Sequence, residues 1–252
     1  MSWKMIALDL DGTLLDRNGN ISDENAEWVR KAQYSGINVV LVSGRHRMRI
    51  APIIEKLDLR LPVITTNGCE IWSAEGHLLD RNVLPWKDVE IVHLFAFQHN
   101  VNYRAYCAEG VFDSDQRQHL AQMDYSWLKV LLKSDNRRSL TDAYERLHAT
   151  KRLELTAYGT PGEPQQIDVQ PKGTGKAAAL GKLCGMLGIC KEEVVAFGDD
   201  RNDIEMLRWA GLGIAMGNAP DDVKAAADTV APHYLDSGVG RTIARIMRHA
   251  SA

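Results

Sequence analysis

The sequence has no apolar run near the roughly 20 residues that cross a bilayer, and its first residues, "MSWKMIALDLDG", lack the apolar stretch and small-residue cleavage site of a secretory signal. It has only four cysteines, Cys69, Cys107, Cys184 and Cys190, with no C-x-x-C pair among them. That spacing excludes a disulfide framework and a thiolate zinc site, and implies reduced, mostly buried thiols in a cytoplasmic protein. There is no excess of either charge: 30 basic and 33 acidic residues leave a net charge of −3. Neither nucleic acid nor a membrane is therefore expected as a partner. Internal repeats and low-complexity stretches are also missing. So is a phosphate-binding loop, because "PKGTGK" has Gln170 and Ala177 where the pattern needs Gly and Ser or Thr. "GLGIAMGNA" lacks the G-x-G-x-x-G of a dinucleotide site and reads as a packing strand and turn.

What remains is an ordinary globular composition, 45% apolar and 25% charged over 252 residues. "MIALDL", "INVVLVSG" and "LPVITTNG" are short apolar runs suited to strands buried on both faces. Between them lie helical patterns. "SDENAEWVRKAQYSG" can be capped by Ser22 and ended by Gly36, while "RHRMRIAPIIEKLDL" must be kinked or divided by Pro52. "EIWSAEGHLLDRNV" reads as a hairpin. From Pro85 to Val169 strand and helix periods mix without βαβ alternation, with "VNYRAYCA", "WLKVLLK", "RLELTAYG" and "QQIDVQ" as strands and "SLTDAYERLHAT" as a capped helix. The alternation resumes with "TGKAAALGKLCGMLG" and "VVAFGDD". The expected architecture is an α/β, doubly wound, parallel-sheet core, residues 1–82 and 170–252, interrupted by an α+β insert at 83–169.

Ligands of open parallel sheets bind beyond the carboxyl ends of the strands, and acids gather there. Asp9 and Asp11 end the first strand; at i and i+2 of an extended chain their carboxylates point the same way. Asp199 and Asp200 end "VVAFG", and "GDDRND" adds Asn202 and Asp203. Carboxylates gathered in one crevice need a cation, and all-oxygen ligation suits Mg²⁺. Ser43 and the N–H of Gly44, at another strand end, can donate to an anion, and Lys176 at a helix start supplies a positive charge. The set describes a phosphate held between Mg²⁺, Lys⁺ and acids.

"DLDGT", "SGR", the helix-borne Lys176 and "GDDRND" together resemble the four motifs of the haloacid dehalogenase (HAD) superfamily of phosphatases. "TTNGCEI" and "AMGNAPDDVKAAAD" are similar to stretches of its Cof-type branch. The stretch between Thr13 and Ser43 is too short for an inserted domain, whereas that between Asn67 and Lys176 is not, and G-D-x-x-N-D favours subclass IIB, with a C2B-type cap on a Rossmann-like core. The resemblance implies that Asp9 attacks phosphorus to give an aspartyl-phosphate, and that Asp11 protonates the leaving alcohol and then activates water. It implies Mg²⁺ on Asp9, Asp199 and the backbone carbonyl of Asp11, with Asp203 nearby or through water. Ser43, Gly44 and Lys176 would hold the phosphoryl group, and Asn202 would contact it or orient Lys176. Asp9 is expected ionised and Asp11 protonated, which lets the two acids sit together.

The run "RHRMR" is expected to face water, with Arg45 its one candidate for the phosphate and His46 on a solvated turn. Tyr103, Tyr106, Phe112, Trp127 and Tyr158 are expected in the core of the insert. The expected activity is hydrolysis of phosphomonoesters of small metabolites, above all sugar phosphates. The alternatives are a phosphohexomutase and a non-catalytic phosphometabolite-binding regulator. Oligomeric state is not legible.

Overall fold

The computed structural model describes residues 3–57, 61–114, 125–160 and 162–250. Strand β1 (Met5–Leu8) is followed by α1 (Asp23–Tyr34), β2 (Asn38–Val42), α2 (Arg47–Leu57), β3 (Val63–Thr65), β4 (Glu70–Trp72) and β5 (Leu78–Arg81). Then come α3 (Trp86–Gln98), β6 (Asn102–Cys107), β7 (Gly110–Asp113), β8 (Trp127–Lys133), α4 (Arg137–Ala149), β9 (Leu153–Thr160) and β10 (Glu163–Pro171). The chain ends with α5 (Lys176–Leu187), β11 (Val194–Gly198), α6 (Ile204–Trp209), β12 (Leu212–Ala215), α7 (Asp221–Lys224), β13 (Thr229–Val230) and α8 (Gly238–Ala250). Two compact units result: residues 1–80 with 175–252, and residues 81–174. The sequence placed the insert at 83–169; β10 continues to Pro171, and Thr174 closes its turn by donating to Pro171 O at 3.2 Å.

The first unit is an eight-stranded sheet in the order β13-β12-β11-β1-β2-β3-β4-β5. From β13 to β3 every neighbouring pair is parallel, and β4 turns back antiparallel on β3. Alternate residues of β1 go to opposite faces. Ile6 and Leu8 join Val29, Ala32, Ile50 and Ile243 on one side; Met5 and Ala7 join Leu180, Leu183, Met206 and Leu207 on the other. Helices thus cover both faces, as a parallel sheet of continuous apolar strands requires. At roughly 25 cal/mol per Å² these fully buried aliphatic chains are the main stabilising contribution. Ser22 caps α1 by accepting from Asn25 N at 3.2 Å. Pro52 lies inside a single α2 and does not divide it.

The second unit is a five-stranded sheet, β7-β6-β8-β10-β9, antiparallel throughout. β7 was not expected from the sequence; with only four residues, opening on Gly110, it shows too little alternation to read. Tyr103, Trp127, Val130, Leu132, Ile167 and Val169 pack with residues of α3 and α4. Phe112 packs partly against that core. Tyr106 and Tyr158 depart from expectation. They alternate with core residues and lie instead beside a buried ion pair, Lys129–Asp168, at 2.9 Å. The Lys129 ammonium lies 4.7 Å from the Tyr106 ring centroid, and Tyr158 Oη lies 3.4 Å from Asp168 Oδ2.

The helix read from "SLTDAYERLHAT" begins two residues earlier than the quoted run, because Asn136 caps it by accepting from Ser139 N at 3.3 Å. Asn136→Ala is expected to cost about 1 kcal/mol, read as a lower urea midpoint.

All four cysteines are free thiols, and only Cys190 is exposed. Among the described residues no helix is long and apolar enough to cross a membrane.

Candidate active site

The carboxyl ends of β1, β2 and β11 are neighbours because those strands pair in parallel, β11-β1-β2. Asp9 takes the ladder one step past β1, donating its N–H to Phe197 O at 3.0 Å, and Ser43 does the same past β2, to Ile64 O at 2.9 Å. Each side chain is therefore fixed by sheet backbone rather than by a loop.

Lys176, the first residue of α5, is buried between two acids, its Nζ 2.6 Å from Asp9 Oδ1 and 2.6 Å from Asp203 Oδ1. The other oxygen of Asp203 accepts from the N–H groups of Asp199 and Asp200, at 3.0 and 3.1 Å. Asp203 thus uses both oxygens to tie α5 to the loop after β11. Asp199 is held in turn by Thr13 Oγ1 at 3.1 Å and Asn218 Nδ2 at 3.0 Å. Asn218 Nδ2 also donates to Gly12 O at 2.9 Å. Gly12 has φ +81, and a Cβ on it would overlap Asp199 Oδ2, so the turn after β1 requires glycine on two counts. A Cβ on Gly198 would likewise overlap Asp203.

Oxygens of Asp9, Asp199 and Asp203 all lie within 4.8 Å of one another. Burial, reinforced by Asp203 and Asp199, pushes Asp9 well above the usual carboxylate range despite Lys176. Burial and then Asp203 push Asp199 up to about 7. Burial alone would lower the Lys176 pKa, but Asp203 and Asp9 outweigh it and the net direction is up. One lysine thus faces three carboxylates, two of which resist ionising. A hard divalent cation fits this donor set: the ligands are oxygens, and its charge would offset the burial and repulsion that raise Asp9 and Asp199.

Asp11 stands apart from that cluster. It is more than half exposed, and Arg45 holds both its oxygens, Nε to Oδ2 at 2.8 Å and Nη2 to Oδ1. Arg45 therefore turns back to Asp11 rather than facing water, and Arg47 departs from expectation too, lying over the Trp72 ring at 5.4 Å. His46 corrects a second expectation: it is buried, not solvated, and its Nδ1 accepts from Met48 N at 3.4 Å at the start of α2. Ser43 is buried and its Oγ accepts from Arg45 N at 3.1 Å. Gly44 leaves no room for a Cβ beside Asn67 Oδ1, 2.7 Å away. Asn202 donates its Nδ2 to that same Oδ1 at 3.0 Å.

Thr13, Asn67 and Asn218 were given no role from the sequence, although "DGT", "TTNG" and "MGNAP" had each been singled out as stretches. Asn67 sits in a run of three left-handed residues, Thr66 (φ 53), Asn67 (φ 54) and Gly68 (φ 99). For the two non-glycine residues this costs about 1–3 kcal/mol each. The run is held by Thr66 N donating to Arg45 O at 2.9 Å and Asn67 N to Ser43 O at 3.0 Å. The strained turn is thereby fixed against the strand end that carries Ser43.

The profile of the haloacid dehalogenase-like hydrolases matches residues 6–243. The chain is 37% identical, over 95% of its length and 94% of the relative's, to 5-amino-6-(5-phospho-D-ribitylamino)uracil phosphatase YcsE of Bacillus subtilis. It is 29% identical, over 91% of its length and 93% of the other's, to pyridoxal phosphate phosphatase YbhA of Escherichia coli. A solved haloacid dehalogenase-like hydrolase from B. subtilis superposes with a TM-score of 0.86 at 27% identity, covering 95% of this chain and 98% of that one.

Proposed function

We propose that this chain, which belongs to the haloacid dehalogenase-like hydrolase family, is a Mg²⁺-dependent phosphatase that uses Asp9 as its nucleophile on phosphorylated sugars. The observation that carries the reading is the buried Asp9–Lys176–Asp203 triad at the end of the central strands.

Asp9 attacks phosphorus through the oxygen not held by Lys176 and forms an aspartyl-phosphate. Lys176 fixes Asp9 and offers positive charge to the phosphoryl oxygens; Ser43 Oγ and Gly44 N–H donate to the same group. Asp11 gives a proton to the leaving oxygen and takes one from the attacking water. To do so it must be released by Arg45, whose planar guanidinium suits a phosphate as well as a carboxylate. Asn202, bonded to Asn67, acts by bracing the strand ends around Gly44. Asp9, Asp199 and the backbone carbonyl of Asp11 would hold the Mg²⁺, with Asp203 behind them. When bound, the ion would keep Asp9 ionised and neutralise charge on the phosphoryl group.

The named substrates of two relatives join a phosphate to a nitrogen ring, a ribitylaminouracil in one and a pyridoxal in the other. They favour a second reading, in which the organic half is a heterocycle.

A panel of hexose phosphates, ribose 5-phosphate, pyridoxal 5′-phosphate and flavin mononucleotide, assayed with Mg²⁺ and with EDTA, tests both. Turnover is expected to fall at least about 100-fold in EDTA. Turnover unaffected by EDTA removes the metal from the proposal. Isomerised phosphosugar, formed when a bisphosphorylated hexose is added, replaces hydrolysis by a mutase reaction.

The raised carboxylates also set the pH dependence of the metal. Asp199, pushed up to about 7, is protonated below that pH, so the cation must displace a proton there. Apparent Mg²⁺ affinity is expected to weaken as the pH falls through about 7. Calorimetry at pH 6, 7 and 8 reads this directly, and equal affinity at all three contradicts it.

A further inference from the structure

Asn218 lies just past the carboxyl end of β12, and the order β12-β11-β1 puts it beside the strand ends that carry Asp199 and Asp9. Its backbone is placed by the turn around it. Ala219 N donates to Met216 O at 3.0 Å, and Gly217 N to Pro232 O at 3.4 Å. Glycine permits that approach, since a Cβ at position 217 would lie 2.9 Å from His233 N.

The side-chain amide is then fixed one way round. Its Oδ1 accepts from Tyr234 N at 3.3 Å. Nδ2, with two protons, faces two acceptors, Gly12 O at 2.9 Å and Asp199 Oδ2 at 3.0 Å. Turned over, the amide would set its oxygen against both and lose all three hydrogen bonds. Thr13 Oγ1 holds the other oxygen of Asp199, so neutral donors fix that carboxylate on both sides. Neither donor brings charge. They leave the excess of acid as it is and decide where it points. The Asp11 carbonyl belongs to the peptide group that precedes Gly12, so holding Gly12 O steadies the turn that presents it.

We propose that Asn218 is a positioning residue for the divalent cation. One amide ties the turn after β1 to the loop after β11, and so keeps Asp199 and the Asp11 carbonyl ready for the ion. Nδ2 has no lone pair to give a metal, so Asn218 acts through Asp199 and not as a ligand. The inference rests on the metal-dependent reading above. Residues that hold a metal ligand from behind change metal affinity by about 10–100-fold when removed.

The test is calorimetric titration of MgCl₂ into the metal-free full chain, for wild type, Asn218→Ala and Asn218→Leu. Leucine keeps the volume and admits no water in place of the amide. The Kd for Mg²⁺ is expected to rise about 10–100-fold in both variants. The Mg²⁺ concentration for half-maximal turnover should rise in step, while kcat and KM at saturating Mg²⁺ stay within about threefold of wild type. Urea midpoints in EDTA and circular dichroism read the fold separately. In wild type, the Asn218 side-chain NH₂ resonances are expected to shift on adding Mg²⁺, an ¹⁵N NMR measurement that needs no variant.

Folded variants that bind Mg²⁺ as tightly as wild type assign Asn218 a structural role, whatever their urea midpoints, and overturn the proposal. Side-chain resonances that do not respond while wild type binds Mg²⁺ overturn it as well, and decide the matter if neither variant folds. Wild type that binds no Mg²⁺ ends the metal-dependent reading and this inference with it. Wild type that binds Mg²⁺ but hydrolyses no ester ends the phosphatase reading alone, and weakened Mg²⁺ binding in the variants still supports the role of Asn218.

Discussion

Replacing Asp9 by asparagine is expected to leave a folded protein that turns over phosphomonoesters at least about 10⁴-fold more slowly. Folding survives because the amide is isosteric and removes one of three crowded carboxylates, and burial, with repulsion from the other two, raises Asp9 in the first place. Chemistry does not survive, because an amide oxygen is a poor nucleophile and forms no stable acyl phosphate. A rapid-quench experiment with ³²P-labelled substrate gives the direct measurement. Wild type should carry acid-stable label in the steady state, and Asp9→Asn should carry none. Label retained by the variant, or turnover within tenfold of wild type, would overturn the assignment of the nucleophile.

Lys176→Met is expected to cost both stability and activity. Among the described residues Lys176 is the cation that pairs with both Asp9 and Asp203, and all three are buried. Removing one partner of a buried pair leaves uncompensated charge, at a cost of about 3–5 kcal/mol. The urea midpoint measured in EDTA should fall accordingly. Lys176→Met combined with Asp203→Asn should recover most of the loss, since the asparagine oxygen still accepts from the loop after β11 while the stranded charge is gone. Activity should not return, because the phosphoryl group has then lost its lysine. A single variant as stable as wild type would mean that Asp9 and Asp203 are already neutral in the folded protein.

Acids ending apolar runs are conspicuous in a sequence, which is why Asp9, Asp199 and Lys176 could be brought to one sheet edge before any coordinates were known. The residues that steady them were not visible in the same way. Asn67 and Asn218 lie in turns, where asparagine is common for backbone reasons alone. Their partners Asn202 and Asp199 belong to other elements, so the pairing exists only once β3, β11 and β12 are placed in order. Arg45 was singled out of its run as the candidate for the phosphate, but a run of three cations does not say that its partner is Asp11 beyond β1. His46 was missed for the converse reason, that a polar residue beside charged ones reads as solvated unless its backbone partner is known. In the second unit the alternation of Tyr106 and Tyr158 with core residues was present in the sequence, but aromatic content alone does not say which of two sheet faces is helix-covered.

The chain leaves the first unit after Asp80 and re-enters at Gly175, and the segment between has its own sheet and its own apolar core. Evolution can therefore rewrite the inserted segment, or exchange it whole, without disturbing the registers that bring Asp9 beside Ser43 and Asp199.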